Sequence, residues 1–459
     1  MISLLILAQA ADPLAKLKAG AYSIPLGQRL VGLLGIATML LIAYLMSYDR
    51  KHINWRLVGM GLLLQAVFGL LVLKSPPGRW FFAQVGDIVT GILGFVVKGA
   101  SFVFGNLVEL TVPVGSMSST GSFTAAPGGA AMTGAIFAFK VLPTIIFFSS
   151  LMSVLYYLGV MQWVVKGIAW VMQRSLGTSG AETLSASGNI FLGQTEAPLL
   201  IKPFVGRMTQ SELVTVMVGG FATVAGGVMA AYVAVLQDYL PSIAGHLLAA
   251  SVMNAPAGLL LSKMLLPETG HPVTKDILHV EVEKTDSGVI EAAANGASTG
   301  VQLALNVAGM LIAFVALVAM LNFGIQWIGA QFGMPGLSFQ SILGAVLRPL
   351  AWVMGVPWQD TAYVGSLIGI KTVLNEFVAY SQFASDLSKT AVMIEPRSAV
   401  IAAYSLLGFA NFSSIAIQIG GIGGLAPERR GEIARFGLRA MVAGNLAAFM
   451  SASWAGMLL

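Results

Sequence analysis

Apolar stretches of roughly 20 residues recur from Leu30 to the C-terminus, and this repetition constrains the fold more than any single motif does. A soluble domain needs about a quarter of its residues charged to cover its surface. Here 10% are charged and 56% are hydrophobic, so most of the chain must face a solvent other than water. Lipid cannot satisfy open backbone groups, and no alternating barrel strands occur, so the spans are expected to be helices. The 53 glycines agree, because small residues let membrane helices approach closely. A net charge of +5 is no nucleic-acid footprint here, since Lys and Arg sit mostly at the edges of apolar stretches. With no cysteine, disulfides and thiolate metal sites are excluded. Met1 to Ala11 is apolar but lacks a basic flank and is too short for a signal peptide.

Basic loops set the topology. Residues 30–46 and 57–73 are spans, and the Tyr48-Asp49-Arg50-Lys51-His52 run between them belongs in the cytoplasm by the positive-inside rule. Residues 80–107, broken by Asp87 and Lys98, are expected to lie along the interface, and residues 112–134 to form a loop. The span 137–165 returns to an edge marked by Lys166 and Arg174. Further spans cover 211–236, 243–266, 301–328, 398–421 and 435–459, with a second interfacial stretch at 337–358. The charged stretch 268–291, holding Lys275, Asp276, Glu281, Glu283 and Lys284, and the loop with Arg429 and Arg430 are again cytoplasmic. These edges agree on about eight spans with both termini outside.

Two segments are too short and polar to cross simply. Residues 180–204 hold Glu182, Asn189, Gln194, Glu196 and Lys202; residues 361–383 hold Lys371, Asn375 and Glu376. Each reads as a re-entrant hairpin followed by two spans, the first interrupted by small or polar residues. The interruptions are Ala222-Thr223-Val224-Ala225-Gly226-Gly227 and Gly408-Phe409-Ala410-Asn411-Phe412-Ser413-Ser414. One outward span between the halves makes the second hairpin enter from the opposite face. Inverted repeats with broken helices meeting at midplane are a signature of secondary transporters. The expected class is therefore an all-α polytopic membrane protein with about eight transmembrane helices, two re-entrant hairpins in inverted repeats, and interfacial helices.

A carboxylate in an apolar segment is costly unless paired or hydrated, so Glu196 and Glu376 mark a site by default. The plain alternative is an ion pair, Glu196 with Lys202 or Glu376 with Lys371. An ionised carboxylate beside Asn or Gln suits a polyhydroxylated solute, because it accepts several hydrogen bonds. Carbonyls freed by unwinding, with Asn189 and Thr223 oxygens, suit a bare monovalent cation such as Na⁺, and no carboxylate cluster suggests Ca²⁺ or Mg²⁺. A proton carried by Glu196 or Glu376 is the alternative coupling ion. Gly420-Gly421-Ile422-Gly423-Gly424 reads as a flexible loop rather than a nucleotide loop, because no strand precedes it. His246 reads as a core histidine. A hydrolase built on Ser179 and His246 would lack an orienting acid and leave the two inverted acidic hairpins unexplained; a channel is told apart because it cannot concentrate its solute.

Three runs resemble the concentrative nucleoside transporters: Gly193-Gln194-Thr195-Glu196-Ala197-Pro198-Leu199-Leu200, Gly369-Ile370-Lys371 through Asn375-Glu376-Phe377-Val378-Ala379-Tyr380, and Gly408 through Ile415. The resemblance covers nearly the whole chain in order, including Lys140-Val141-Leu142-Pro143-Thr144. It implies a non-enzymatic symporter for pyrimidine or purine nucleosides, homotrimeric, working as an elevator, multi-pass in a bacterial cytoplasmic membrane and in contact with lipid but not nucleic acid. It implies that Gln194, Thr195 and Glu196 face the nucleobase, with apolar contact from Val228 and Phe409. Glu376, Asn411 and Ser414 would then hold the ribose. The family's sodium site would fall on the Asn189 and Thr223 side chains and the Leu192 and Val224 carbonyls, with no other cofactor. Leu192 and Thr223 stand where valine and serine are common. The implied organisation is scaffold spans in 1–79, interfacial helix and loop in 80–133, and a scaffold span with its connection in 134–175. The first transport repeat would take 176–266, the loop and a scaffold span 267–329, and the second transport repeat 330–459.

Overall fold

Local caps and breaks cut the apolar sequence into helices in the computed structural model, which describes residues 26–109, 111–117, 123–132, 137–275, 286–388 and 394–459. The first three helices are α1 (Leu26–Met46), α2 (Trp55–Leu73) and α3 (Pro76–Phe104). A two-stranded antiparallel hairpin follows, β1 (Thr111–Met117) with β2 (Phe123–Met132), pairing Thr111 with Met132. Next come α4 (Leu142–Tyr157), α5 (Val160–Leu176) and α6 (Gly180–Gly188), the last followed by a tight turn and a 3-10 segment at Ala197–Ile201. The broken pair α7 (Gln210–Ala222) and α8 (Gly226–Leu236) leads to α9 (Ile243–Leu265) and the long α10 (Val289–Gln331). The second half holds α11 (Phe339–Val353), α12 (Thr361–Val373) and α13 (Glu376–Ser388), then a second broken pair, α14 (Pro396–Leu406) with α15 (Phe412–Leu425), and α16 (Arg430–Leu458).

Hydrogen bonds sort these elements between two ends of the bundle. At the basic end, Tyr48 N donates to Leu265 O at 2.9 Å and the Arg439 guanidinium lies 4.1 Å from the Tyr48 ring centre. Gly180 N donates to Thr274 O at 2.9 Å, so the first hairpin is rooted there too. At the opposite end, Arg397 donates to Gln28 O at 3.1 Å and to Gly456 O at 2.7 Å, and Glu395 N donates to Asp360 Oδ2 at 3.1 Å, which roots the second hairpin. The hairpins therefore enter from opposite ends.

This sorting also decides which helices cross. Lys140 pairs with Asp238 at 3.7 Å at the opposite end, while the Tyr157 hydroxyl donates to Ser287 O at 3.4 Å at the basic end, so α4 runs the full distance. Helix α3 does not. Phe82, near its start, abuts Gly245 at the head of α9, and Phe104, its last residue, has its ring 4.9 Å from that of Phe139 just before α4. Both ends of α3 thus stay at the opposite end of the bundle. By length and composition alone, 8 described helices could cross a membrane, and α3 is among them in a span of 33 residues counted to Val108. The broken pair α14–α15 is not among them, yet it runs from Arg397 at one end to Gly423 at the other, where Arg430 donates to the Gly423 carbonyl at 3.2 Å. One helix that could cross lies flat, and one crossing is made by two helices too short to be counted.

Several expectations change. The 112–134 loop contains the β1–β2 hairpin, and the expected span 137–165 ends at Tyr157, where the chain turns into the separate helix α5. The glycine run 420–424 is helical, forming the last turns of α15, and not a flexible loop. Gly421 and Gly423 let α15 approach Thr195 and Arg430, while Gly420 and Gly424 face open space. Residues 1–25 and the charges Asp276, Glu281, Glu283 and Lys284 lie outside the described residues. Helix α1 packs on α16 and α2 on α9, while α4 packs along α10.

Candidate functional site

The centre is built by the two broken helices. Thr209 caps α7, accepting from Glu212 N at 3.1 Å while Glu212 accepts from Thr209 N at 2.9 Å. Helix α7 stops at Ala222, where Thr223 turns extended (φ −124°, ψ 177°). Helix α14 stops likewise at Leu406, and α15 restarts with Asn411 accepting from Ser414 N at 2.9 Å. Between them Gly408 has φ +112°, and a Cβ there would lie 2.7 Å from Phe221 O. Only glycine fits, both for its left-handed backbone and for the approach. The two breaks touch directly, with Phe409 N donating to Thr223 O at 3.2 Å.

Around this crossing the second hairpin delivers Glu376. Its Oε1 accepts from the Tyr232 hydroxyl at 3.1 Å and its Oε2 from Asn411 Nδ2 at 2.8 Å. Tyr232 stacks on Tyr380 with ring centres 4.3 Å apart. Val228, buried one turn before Tyr232 on the same helix, shares its face. Glu376 and Asn411 are thus in contact, and Ser414 and the half-buried Phe409 belong to the same break.

The first hairpin meets the second broken helix. Gln194 Nε2 donates to Ser414 Oγ at 3.0 Å, and Gln418 Nε2 donates to Gln194 Oε1 at 3.1 Å and to Met217 O at 3.0 Å. Thr195 stands against α15, where a Cβ on Gly421 would come within 2.5 Å of its methyl. Glu196, half-buried, accepts from Gly193 N at 3.0 Å. Neither acid forms the ion pair considered from sequence. Among the described residues no ion pair joins Glu196 to Lys202 or Glu376 to Lys371.

The cation candidates lie beside the first break. Asn189 is fully buried, with neither amide atom hydrogen-bonded. Burying such an amide without partners costs about 1–3 kcal/mol, which points to a ligand as the missing partner. Gly219 stands between the two predicted side chains: Thr223 Oγ1 donates to its carbonyl at 2.9 Å, and a Cβ on it would lie 3.2 Å from Asn189 Nδ2. Leu192 and Val224 sit in non-helical turns next to this pair, and among the described residues no backbone N–H is bonded to either carbonyl. The oxygens are all neutral, which suits a monovalent cation better than Ca²⁺ or Mg²⁺.

Sequence reasoning missed four polar residues here. Tyr232 carries no signal in an apolar helix, whereas Gln418 does, as a polar group inside one. Asn254 and Asn445 could have been found as polar groups inside spans; they donate to Ala222 O at 2.7 Å and Ala410 O at 2.9 Å, closing the frayed ends of the breaks. The hydrolase reading fails on geometry, because Ser179 Oγ donates to Glu212 Oε1 at 2.5 Å while the His246 ring sits 5.9 Å from that of Tyr404. Near Ser179 a second buried cluster joins Lys263 to Glu182 at 2.6 Å and to Glu268 at 3.4 Å.

Comparison with known proteins agrees with this architecture. Family models described as the N-terminus and the C-terminus of Na⁺-dependent nucleoside transporters match residues 34–107 and 246–456, and a nucleoside-recognition gate model matches 138–238. A Haemophilus influenzae transporter is 44% identical over 432 residues, covering 94% of this chain and 98% of that protein. The chain belongs to the concentrative nucleoside transporter family. Rat sodium/nucleoside cotransporter 1 is 41% identical over 443 residues, and the chain spans 64% of its length. CNTnw in an inward-facing substrate-bound state matches with TM-score 0.82 at 44% identity, over 94% of this chain and 97% of that one. A CNTnw variant in an outward-facing state matches with TM-score 0.84 at 44% identity, over 95% of this chain and 98% of that one. CNTnw thus matches the present fold in both an inward-facing and an outward-facing state.

Proposed function

We propose that the chain is a symporter that imports nucleosides with Na⁺, carrying its site between the two membrane faces by an elevator movement within a homotrimer in a bacterial inner membrane. The observation that carries this reading is the junction of the two breaks, where Glu376 is held between Tyr232 and Asn411 at the second break and the unpartnered amide of Asn189 packs against Gly219, one turn before the first. Each carboxylate oxygen of Glu376 has a lone pair left for a donor after its present bond, so a ribose cis-diol can add two hydrogen bonds. Asn411 and Ser414 stand at the same break to complete that end. The base takes the other end, against Gln194, Thr195 and Glu196, with Val228 and Phe409 as apolar walls. Its polar edge replaces the Gln194–Ser414 hydrogen bond that closes the junction.

For the ion, Asn189 and Thr223 give side-chain oxygens, and Leu192 and Val224 give carbonyls. An ion bound there neutralises the negative end of α7 and gives the buried Asn189 amide oxygen the partner it lacks. Hairpins rooted at opposite ends allow one site to be reached from either side in turn. The test is uptake by purified protein in proteoliposomes, with competition among the common nucleosides and with Na⁺ and pH gradients imposed separately. Concentrative nucleoside uptake driven by Na⁺ alone is expected. Uptake driven only by a pH gradient would transfer coupling to a proton, and uptake that never exceeds equilibrium would make the protein a channel.

A further inference from the structure

Both broken helices end their first halves at the centre, and the last carbonyls of each lack intrahelical donors. Each of these ends also carries the negative pole of its helix dipole, which favours a nearby cation. The two breaks are dressed alike up to that point. Asn254, from the span after the first break, donates to Ala222 O at 2.7 Å; Asn445, from the span after the second, donates to Ala410 O at 2.9 Å. A hairpin arm packs on each first half, α6 on α7 and α12 on α14.

The likeness stops at charge. At the second break the ammonium of Lys371, completely buried, donates to Ser405 O at 2.9 Å and to Leu407 O at 3.2 Å. It also lies 5.6 Å from the centre of the Phe449 ring. At the first break, among the described residues, no lysine or arginine donates to the carbonyls, and the hairpin arm offers Asn189 with both amide atoms unpartnered. One repeat holds a covalent cation on the carbonyls of its broken helix, and the other holds an incomplete set of neutral oxygens.

We propose that Lys371 is a tethered cation that fills, in the second repeat, the position the exchangeable cation takes in the first. An ammonium and a bare monovalent ion satisfy the same carbonyl ligands and the same helix end. The second repeat is thereby permanently loaded, and the protein needs one transported cation where a symmetric pair would need two. This rests on the cation-coupled reading above.

The test replaces Lys371 by methionine, which keeps the stem and removes the charge, and follows thermal melting against Na⁺ in a choline background at constant ionic strength. The wild type is expected to gain stability with an apparent Na⁺ order of about one, and Lys371→Met to melt lower in choline but respond with an order of about two. Lys371→Arg, which keeps the charge, should retain the first-order response. Should Lys371→Met not fold in choline, its recovery in Na⁺ against choline decides: recovery in Na⁺ only supports the inference, and equal failure in both overturns it. A Lys371→Met protein with the wild-type Na⁺ response overturns it alone. A wild type indifferent to Na⁺ overturns the coupling reading first, and this inference with it.

Discussion

Asn411 donates its amide nitrogen to Glu376 at 2.8 Å while its amide oxygen accepts from Ser414 N at 2.9 Å. One side chain therefore orients a buried carboxylate and starts a helix. Asn411→Asp separates the two tasks, because it keeps the cap and replaces the donor with a second carboxylate facing the first. Losing a hydrogen bond to a charged group costs about 1.5–3 kcal/mol, or roughly 10- to 100-fold in apparent nucleoside affinity. The melting temperature should fall as well, because two buried carboxylates then face each other. Uptake kinetics and a melting curve on the same preparation check both halves.

Glu376→Gln keeps the shape and removes the charge that two ribose hydroxyls would share. Uptake should fall at least tenfold while the protein stays folded by size-exclusion chromatography, since about 1.4 kcal/mol per tenfold is within the range of one such bond. The ligand side of the same contact is testable with 2′,3′-dideoxynucleosides. Their affinity should fall by about 1–3 kcal/mol, and equal competition by them and by ribonucleosides would remove Glu376 from the ribose end.

Asn189→Leu should separate stability from ion response. The native amide is buried without partners, so its loss in Na⁺-free medium relieves a penalty of about 1–3 kcal/mol and should leave the melting temperature unchanged or higher. Added Na⁺ should then stabilise the wild type and not the variant. A variant that still gains stability with Na⁺ would move the ion elsewhere.

Gly421→Ala tests the close contact between the first hairpin and α15. The added Cβ would lie 2.5 Å from the Thr195 methyl, and overpacking of this kind costs about 1–3 kcal/mol. Thr195→Ser keeps the hydroxyl and removes that methyl, so the double variant should recover most of the lost uptake and stability. Additive losses would show that the two residues do not meet in the working protein.

Lys263→Met leaves Glu182 without its buried partner, beside Glu212, and should destabilise by about 3–5 kcal/mol. Adding Glu182→Gln should restore part of that. The measurement is melting temperature for the single and double variants, with Lys166→Met in the exposed part of α5 as a neutral control.

The class, the two hairpins and both breaks were legible because each is a local violation of an apolar background. Glu196, Glu376 and Asn189 stand out for the same reason. Helix α3 could be read as lying flat because Asp87 and Lys98 interrupt it, although its length would let it cross. Gly421 went the other way: glycine in a row looks like a loop, and only the neighbouring Thr195 shows that it is a contact surface inside a helix. Tyr232 was invisible, since its partner lies 144 residues away and nothing local distinguishes it from packing; Gln418 stands out as an amide in an apolar helix, but its partner 224 residues away does not. The Lys263–Glu182 pair was missed because each member, taken alone, looks like an ordinary end-of-helix charge.

The bond from Phe409 N to Thr223 O joins the two breaks through their backbones. It ties the strand proposed to hold the ion to the strand proposed to touch the base, so whatever bound ion does to the shape of one is felt by the other. Reciprocity then follows from thermodynamics: the factor by which the ion raises nucleoside affinity must equal the factor by which the nucleoside raises ion affinity. Where that factor exceeds one, the carrier holds either partner alone loosely and the two together tightly. That is the condition under which a leak of the ion alone is suppressed.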